Sequence, residues 1–91
     1  AFYLNKSIID IIISDNVENI GYEAFWNCSS LTSVTIGKGV KSIGKKAFYS
    51  CYSIEAINYK GSKEQWASIS KGSSWNYNTG SCTINYNYVE N

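Results

Sequence analysis

VENIGYEAFWNCSSLTSVTI, residues 17–36, aligns without a gap on VKSIGKKAFYSCYSIEAINY, residues 40–59, at an offset of 23. Seven positions are identical: Val17/Val40, Ile20/Ile43, Gly21/Gly44, Ala24/Ala47, Phe25/Phe48, Cys28/Cys51 and Ser30/Ser53. Leu31/Ile54, Val34/Ile57, Ile36/Tyr59 and Trp26/Tyr49 keep their character while the polar positions drift, so the repeat preserves a core rather than a surface. One further step back places Ala1, Phe2 and Tyr3 on Ala24, Phe25 and Trp26, and Ile8, Ile11 and Ile13 on Leu31, Val34 and Ile36. The chain is therefore expected to begin in mid-repeat, as a piece of something longer. A period of 23 is too long for a heptad and too short for helical-hairpin repeats of ~34 residues. It suits one coil of a solenoid.

Within each unit, L-x-x-V-x-I ends in strict alternation, which predicts a short strand with Val34 and Ile36 inward and Ser33 and Thr35 outward. Gly37-Lys38-Gly39 then reads as a turn in which glycine supplies a positive φ. The following V-x-x-I-G-x-x-A-F-x-x-C has apolar residues at threes and fours, the pattern of an irregular return arm with a tight turn or short helical piece near Ala24-Phe25. Stacked coils should superpose three inward columns on parallel strands: Ile8/Leu31/Ile54, Ile11/Val34/Ile57 and Ile13/Ile36/Tyr59. Ile84 and Tyr86 should extend the last two columns, and Phe25 and Phe48 should be buried in register.

After Gly61 the period breaks. Ser62-Lys63-Glu64-Gln65 is an S-x-x-Q capping box, followed by Trp66 and Ile69 at helical spacing, so a short helix is predicted here. Beyond a loop from Gly72 to Gly80, Ile84-Asn85-Tyr86 duplicates Ile57-Asn58-Tyr59 at an offset of 27. This predicts a lengthened last coil whose helix and loop, with Trp66, Ile69 and Trp75, close the open end of the stack. Solenoids need such an end, because the last coil otherwise leaves apolar columns in water. The expected division is coils over 1–61, comprising a partial coil 1–16 and full coils 17–39 and 40–61, then a terminal coil and cap over 62–91.

Composition removes whole classes of chemistry. The chain has 91 residues with no histidine, methionine, proline or arginine, and eight lysines against seven acidic residues give a net charge of +1. That balance leaves no electrostatic footprint for nucleic acid. Without histidine there is no imidazole metal ligand and no Ser/His or Cys/His pair. Three cysteines, 23 and 31 residues apart, make no C-x-x-C pair or zinc set. No glycine-rich phosphate loop is present, and Ile8 to Ile13, interrupted by Asp10, is far short of the ~20 apolar residues that span a bilayer. We expect no catalytic residues, cofactor, metal, nucleic-acid partner or membrane insertion. Eight tyrosines, three tryptophans and three phenylalanines on a Ser/Asn/Gly background favour strand and turn over helix.

The two full motifs, IGYEAFWNCSSLTSVTI and IGKKAFYSCYSIEAI, resemble the BspA-like leucine-rich repeat over residues 1 to about 60. The resemblance implies a right-handed leucine-rich repeat solenoid, β-rich, with a parallel sheet on its concave side, irregular return arms and a C-terminal cap containing one short helix. It also implies an extracellular or cell-surface setting. Asn5 departs from the cysteine column, an exchange such repeats tolerate when the side chain finds hydrogen bonds. The Y-x-G-[ST]-x-x-x-W segment from Tyr59 to Trp66 is similar, more loosely, to how such arrays end.

Two surfaces are candidates for contact. Tyr3, Trp26 and Tyr49 form an aromatic column directly after each Ala-Phe pair, able either to cover the return arm or to anchor a partner. The outward strand face, where Thr35 and Asn58 sit, is where a solenoid commonly binds, although its residues are small and mixed. Cys28 and Cys51 share a column but read as small buried hydrophobes, since in-register side chains point the same way. Asn5 and Asn27 head glycosylation sequons, with Asn5 expected to point inward. Two functions fit the sequence: a non-enzymatic, monomeric repeat module that recognises a protein or a glycan in adhesion, or a structural spacer and cap of a longer array with binding elsewhere.

Overall fold

The alternating end of each repeat forms a strand. A computed structural model of the chain describes residues 7–77, 79 and 82–89. In it β1 (Asp10–Ile13), β3 (Ser33–Ile36), β5 (Ala56–Tyr59) and β7 (Thr83–Asn85) make one sheet in the order β1-β3-β5-β7. Every pairing is parallel, and the register follows the repeat: Ile11 opposite Val34, Val34 opposite Ile57, Ile57 opposite Ile84. Consecutive strands come from consecutive coils, so the fold is a parallel β-solenoid of the leucine-rich repeat type.

The three inward columns are the core. Leu31, Ile54, Val34, Ile57, Ile36 and Tyr59 are buried, Ile13 is buried, and Ile8, Ile11, Ile84 and Tyr86 pack against them from the ends of the stack. Phe25 and Phe48 are buried one rung apart.

The return arm is more regular than its sequence suggests. β2 (Asn19–Ile20), β4 (Ser42–Ile43) and β6 (Ser70–Lys71) form a second parallel sheet, order β2-β4-β6. After it, the turns around Ala24 and Ala47 stay in rung-to-rung hydrogen bonding. The amides of Phe25 and Asn27 donate to the carbonyls of Ala47 and Tyr49 at 2.8 and 2.7 Å, and those of Phe48 and Ser50 donate to Trp75 and Tyr77 at 2.7 and 2.8 Å. The stretch expected as a loop after Gly72 is thus a third rung of the return arm. Its signal in the sequence is Gly44…Tyr49 repeated as Gly72…Tyr77 at an offset of 28, interrupted by the helix insertion.

The glycines act differently from expectation. No described glycine has a φ in the left-handed range between +20° and +160°. Left-handed residues fall instead on repeated columns of the turn: Glu23, Lys46 and Ser74 at φ 54°, 59° and 58°, and Asn27 and Ser50 at 58° and 60°. Glycine is required because coils approach closely. A Cβ on Gly37 would lie 2.6 Å from the Ser14 carbonyl carbon, and one on Gly44 would lie 2.6 Å from the Tyr22 nitrogen.

The predicted helix is α1 (Lys63–Ser68), with Ser62 as N-cap. The Gln65 amide donates to Ser62 Oγ at 3.1 Å and the Ser62 amide donates to Gln65 Oε1 at 2.7 Å, completing the capping box. Trp66 and Ile69 are buried. Trp66 lies 5.1 Å from the Tyr59 ring and 5.8 Å, edge on, from Trp75, which in turn meets Phe48 edge on at 6.3 Å. One end of the phenylalanine stack is closed by these tryptophans.

Candidate functional site

Each turn presents its aromatic residue at the same place because the rungs are locked by backbone hydrogen bonds on either side of it. Trp26 and Tyr49 are 6.3 Å apart with planes tilted 57°, and Tyr49 stacks on Tyr77 at 5.0 Å and 24°. Tyr77, in the stretch expected to be a loop, therefore extends the column. Tyr3 lies outside the described residues. Trp26 and Tyr49 are half-buried, Tyr77 is 58% exposed, and the Lys46 ammonium sits 5.3 Å from the Tyr49 ring centre. The row thus both covers the arm and offers surface. Tyr49 and Tyr77 turn ring faces towards one another, so each covers one face of the other and leaves less open aromatic face for a sugar ring to stack on, whereas Trp26 is tilted 57° from Tyr49.

The strand face is less open than alternation implies. Thr35 and Asn58 lie opposite the core-facing side chains but are only 5% and 9% exposed, flanked in register by Ile12 on one side and Asn85 on the other. Asn85 Nδ2 donates to Asn58 Oδ1 at 2.8 Å, so part of the amide's hydrogen-bonding capacity is spent within the row. The expectation of a solvated face at these two positions is corrected: in the inner strands of the sheet, neighbouring rungs ~4.8 Å apart screen short side chains. At the edge, Ile12 is 60% exposed.

Cys28 and Cys51 are buried thiols, and Cys82 is half-buried. Cys51 Sγ donates to the Phe25 carbonyl at 2.9 Å, and burial pushes its pKa up to about 12. A thiol held protonated by its surroundings is no nucleophile at neutral pH. Burial also raises Cys82. Sequence reasoning missed Lys71. Its Nζ donates to the Trp66 and Ile69 carbonyls at 2.7 and 3.2 Å and lies 4.7 Å from the Trp66 ring centre, so it caps the helix C-terminus. Burial lowers its pKa. Nothing in the local pattern marks that lysine, because its partners depend on how the inserted helix folds back.

Among the described residues no group of three or more His, Cys, Asp or Glu side chains is placed to hold a metal ion, and no helix is long and apolar enough to cross a membrane. Parallel coils of about 23 residues, an inward hydrophobic column per strand position and a helical cap define a leucine-rich repeat protein. The BspA type leucine rich repeat region (6 copies) matches residues 1–90, and the chain belongs to that family. The match runs past residue 60, into the terminal coil. No curated protein matches the chain, and no solved structure does. The family is one of repeat modules suited to protein interaction and generally without catalysis.

Proposed function

We propose that this chain is a non-enzymatic recognition module working outside the cell or at its surface, and that it contacts a protein partner through the row Trp26, Tyr49 and Tyr77. The observation that carries the reading is the Tyr49–Tyr77 stack with Tyr77 left 58% exposed. Aromatic side chains already ordered against one another lose little rotamer freedom on binding, and their amphipathic rings are favoured at interface centres. Thr35 and Asn58, being screened, are the weaker candidates, and a glycan ligand is the weaker chemistry. The alternative, a spacer and C-terminal cap with binding elsewhere, draws on the closure of one end by α1, Trp66 and Trp75.

The test is binding of Trp26→Ala, Tyr77→Ala and Thr35→Lys variants to a panel of candidate surface proteins and to a glycan array. The recognition reading expects a protein signal lost in the two aromatic variants and kept in Thr35→Lys. Glycan binding lost with the aromatics would change the ligand class. Binding that survives all three changes, or none to any target, favours the spacer and cap.

A further inference from the structure

The two edges of the four-stranded sheet are guarded differently. Among the described residues nothing pairs with the outer edge of β1 or of β7. An unpaired edge invites another strand, and natural sheets blunt it with charge or proline. β1 carries the exposed Asp10, and its coil adds Asp15, Glu18 and Glu23, with no lysine between Ser7 and Gly37. Two such edges brought together would oppose like charges. The last coil has no such protection: from Gly72 to Val89 there is neither a charged residue nor a proline.

What β7 offers is self-complementary. The Thr83 amide donates to the Glu55 carbonyl at 3.0 Å, so Thr83 and, two residues on, Asn85 turn their backbone groups towards β5. Alternation along the strand then points the amide and carbonyl of Ile84 away from the sheet. An antiparallel strand centred on its own Ile84 would exchange both hydrogen bonds with that residue. In the same register Thr83 of each strand falls opposite Asn85 of the other, and both side chains are exposed. Asn85 Nδ2 already donates to Asn58 Oδ1 at 2.8 Å, which leaves Asn85 Oδ1 to accept and the Thr83 hydroxyl to donate. The half-buried Ile84 would be covered by its own counterpart, and the half-buried Cys82 by Tyr86 of the second copy.

We propose that β7 is a self-association edge: two copies of this chain pair β7 with β7, antiparallel about a twofold axis at Ile84, and join their four-stranded sheets into one. A twofold contact uses the same patch on both copies and closes at two. β7 is three residues long. An edge so short buries much less than the ~1,200–2,000 Å² of stable interfaces, so the pair is weak and the monomer expected from the sequence is its dilute form. The inference is independent of the aromatic row.

Sedimentation equilibrium of the 91-residue chain from ~10 µM to ~1 mM should fit a monomer–dimer equilibrium with nothing larger. Thr83→Lys puts a charge on the edge at an exposed position, so circular dichroism should stay unchanged while association weakens about tenfold or more. Ile12→Lys, on the exposed face of β1, should leave association unchanged. Crosslinking reads the register, each variant carrying Cys82→Ser as well. Ile84→Cys should form a covalent dimer with oxidised glutathione, because residues opposed in a hydrogen-bonded antiparallel pair have Cα atoms about 5.5 Å apart, within disulfide reach. Thr83→Cys should not, its two copies lying diagonally about 7–8 Å apart. A chain that stays monomeric throughout, or a dimer that Thr83→Lys leaves intact, would overturn the proposal. Assemblies that grow past two and are abolished by both Thr83→Lys and Ile12→Lys would assign the edge to head-to-tail contact with β1 instead. Crosslinking of Thr83→Cys in preference to Ile84→Cys would overturn the twofold register.

Discussion

The Phe25 ring lies over the Phe48 ring at a centroid distance of 5.2 Å, with the two planes 6° from parallel. That superposition is the repeat in physical form. One coil places a phenylalanine where the next coil's phenylalanine needs a neighbour, and Trp75 supplies the neighbour on the far side of Phe48. Phe48 is enclosed from both directions. Phe48→Ala is therefore expected to cost towards the upper end of the ~3–5 kcal/mol usual for such truncations, and Phe25→Ala towards the lower end. Urea unfolding monitored by tryptophan fluorescence gives both values. Since small domains are stable by about 5–15 kcal/mol, Phe48→Ala threatens folding outright.

Ser74 holds φ 58° without being glycine or asparagine, and it is exposed. A left-handed conformation costs an L-residue roughly 1–2 kcal/mol, which glycine avoids at some loss of chain entropy. Ser74→Gly should stabilise the protein by up to about 1 kcal/mol, seen as a raised urea midpoint at unchanged slope. A lowered midpoint would show that the serine side chain contributes more than the backbone geometry costs.

The strands, their parallel register, the phenylalanine stack and the capped helix were legible because each rests on local alternation or on identity at offset 23. The second sheet was not. Its strands are two residues long, and only Ile20 and Ile43 mark it, a signal too short to separate from any apolar pair. The glycine reading failed for a related reason. Gly37 is dictated by Ser14 and Asp15 in the previous coil, a through-space constraint that looks, in one dimension, like a turn preference. The candidate contact row was visible at Trp26 and Tyr49 and lost at Tyr77, where the helix insertion shifts the offset to 28. Solvent access could not be read at all: Thr35 alternates correctly and is nonetheless screened by its neighbours.

Ser62 and Gln65 exchange two hydrogen bonds around the start of α1. Ser62→Ala should cost about 1 kcal/mol, within a usual range of about 0.5–2, and Ser62→Gly only a few tenths. Since the helix seats Trp66 against Tyr59 and Trp75, the loss should register in near-ultraviolet circular dichroism as well as in Tm. Equal effects of alanine and glycine would trace the loss to something other than the cap.

Burial holds the Cys51 thiol protonated, with its pKa raised from 9.0 to about 12. The native protein should therefore expose no more than Cys82 to Ellman's reagent at pH 8, and all three cysteines only after denaturation. A Cys28–Cys51 bridge found by mass spectrometry would contradict this. The same shift sets a pH dependence. Between pH 9 and about 12 the unfolded chain releases the Cys51 proton while the folded chain keeps it. The unfolded state then binds fewer protons, and stability falls as pH rises. The raised pKa of Tyr59 acts in the same direction, while Lys71, whose pKa is lowered, gives up its proton more readily when folded and acts in the opposite one. The contribution from Cys51 is complete below pH 9, so urea midpoints should be flat towards neutral pH and decline above it. Cys51→Ala removes the titrating group, and although it lowers the midpoint everywhere by leaving a small cavity, it should shallow the alkaline decline. An identical decline in the variant would assign the alkaline loss to Tyr59 and Cys82, which burial also raises, rather than to the buried thiol of Cys51.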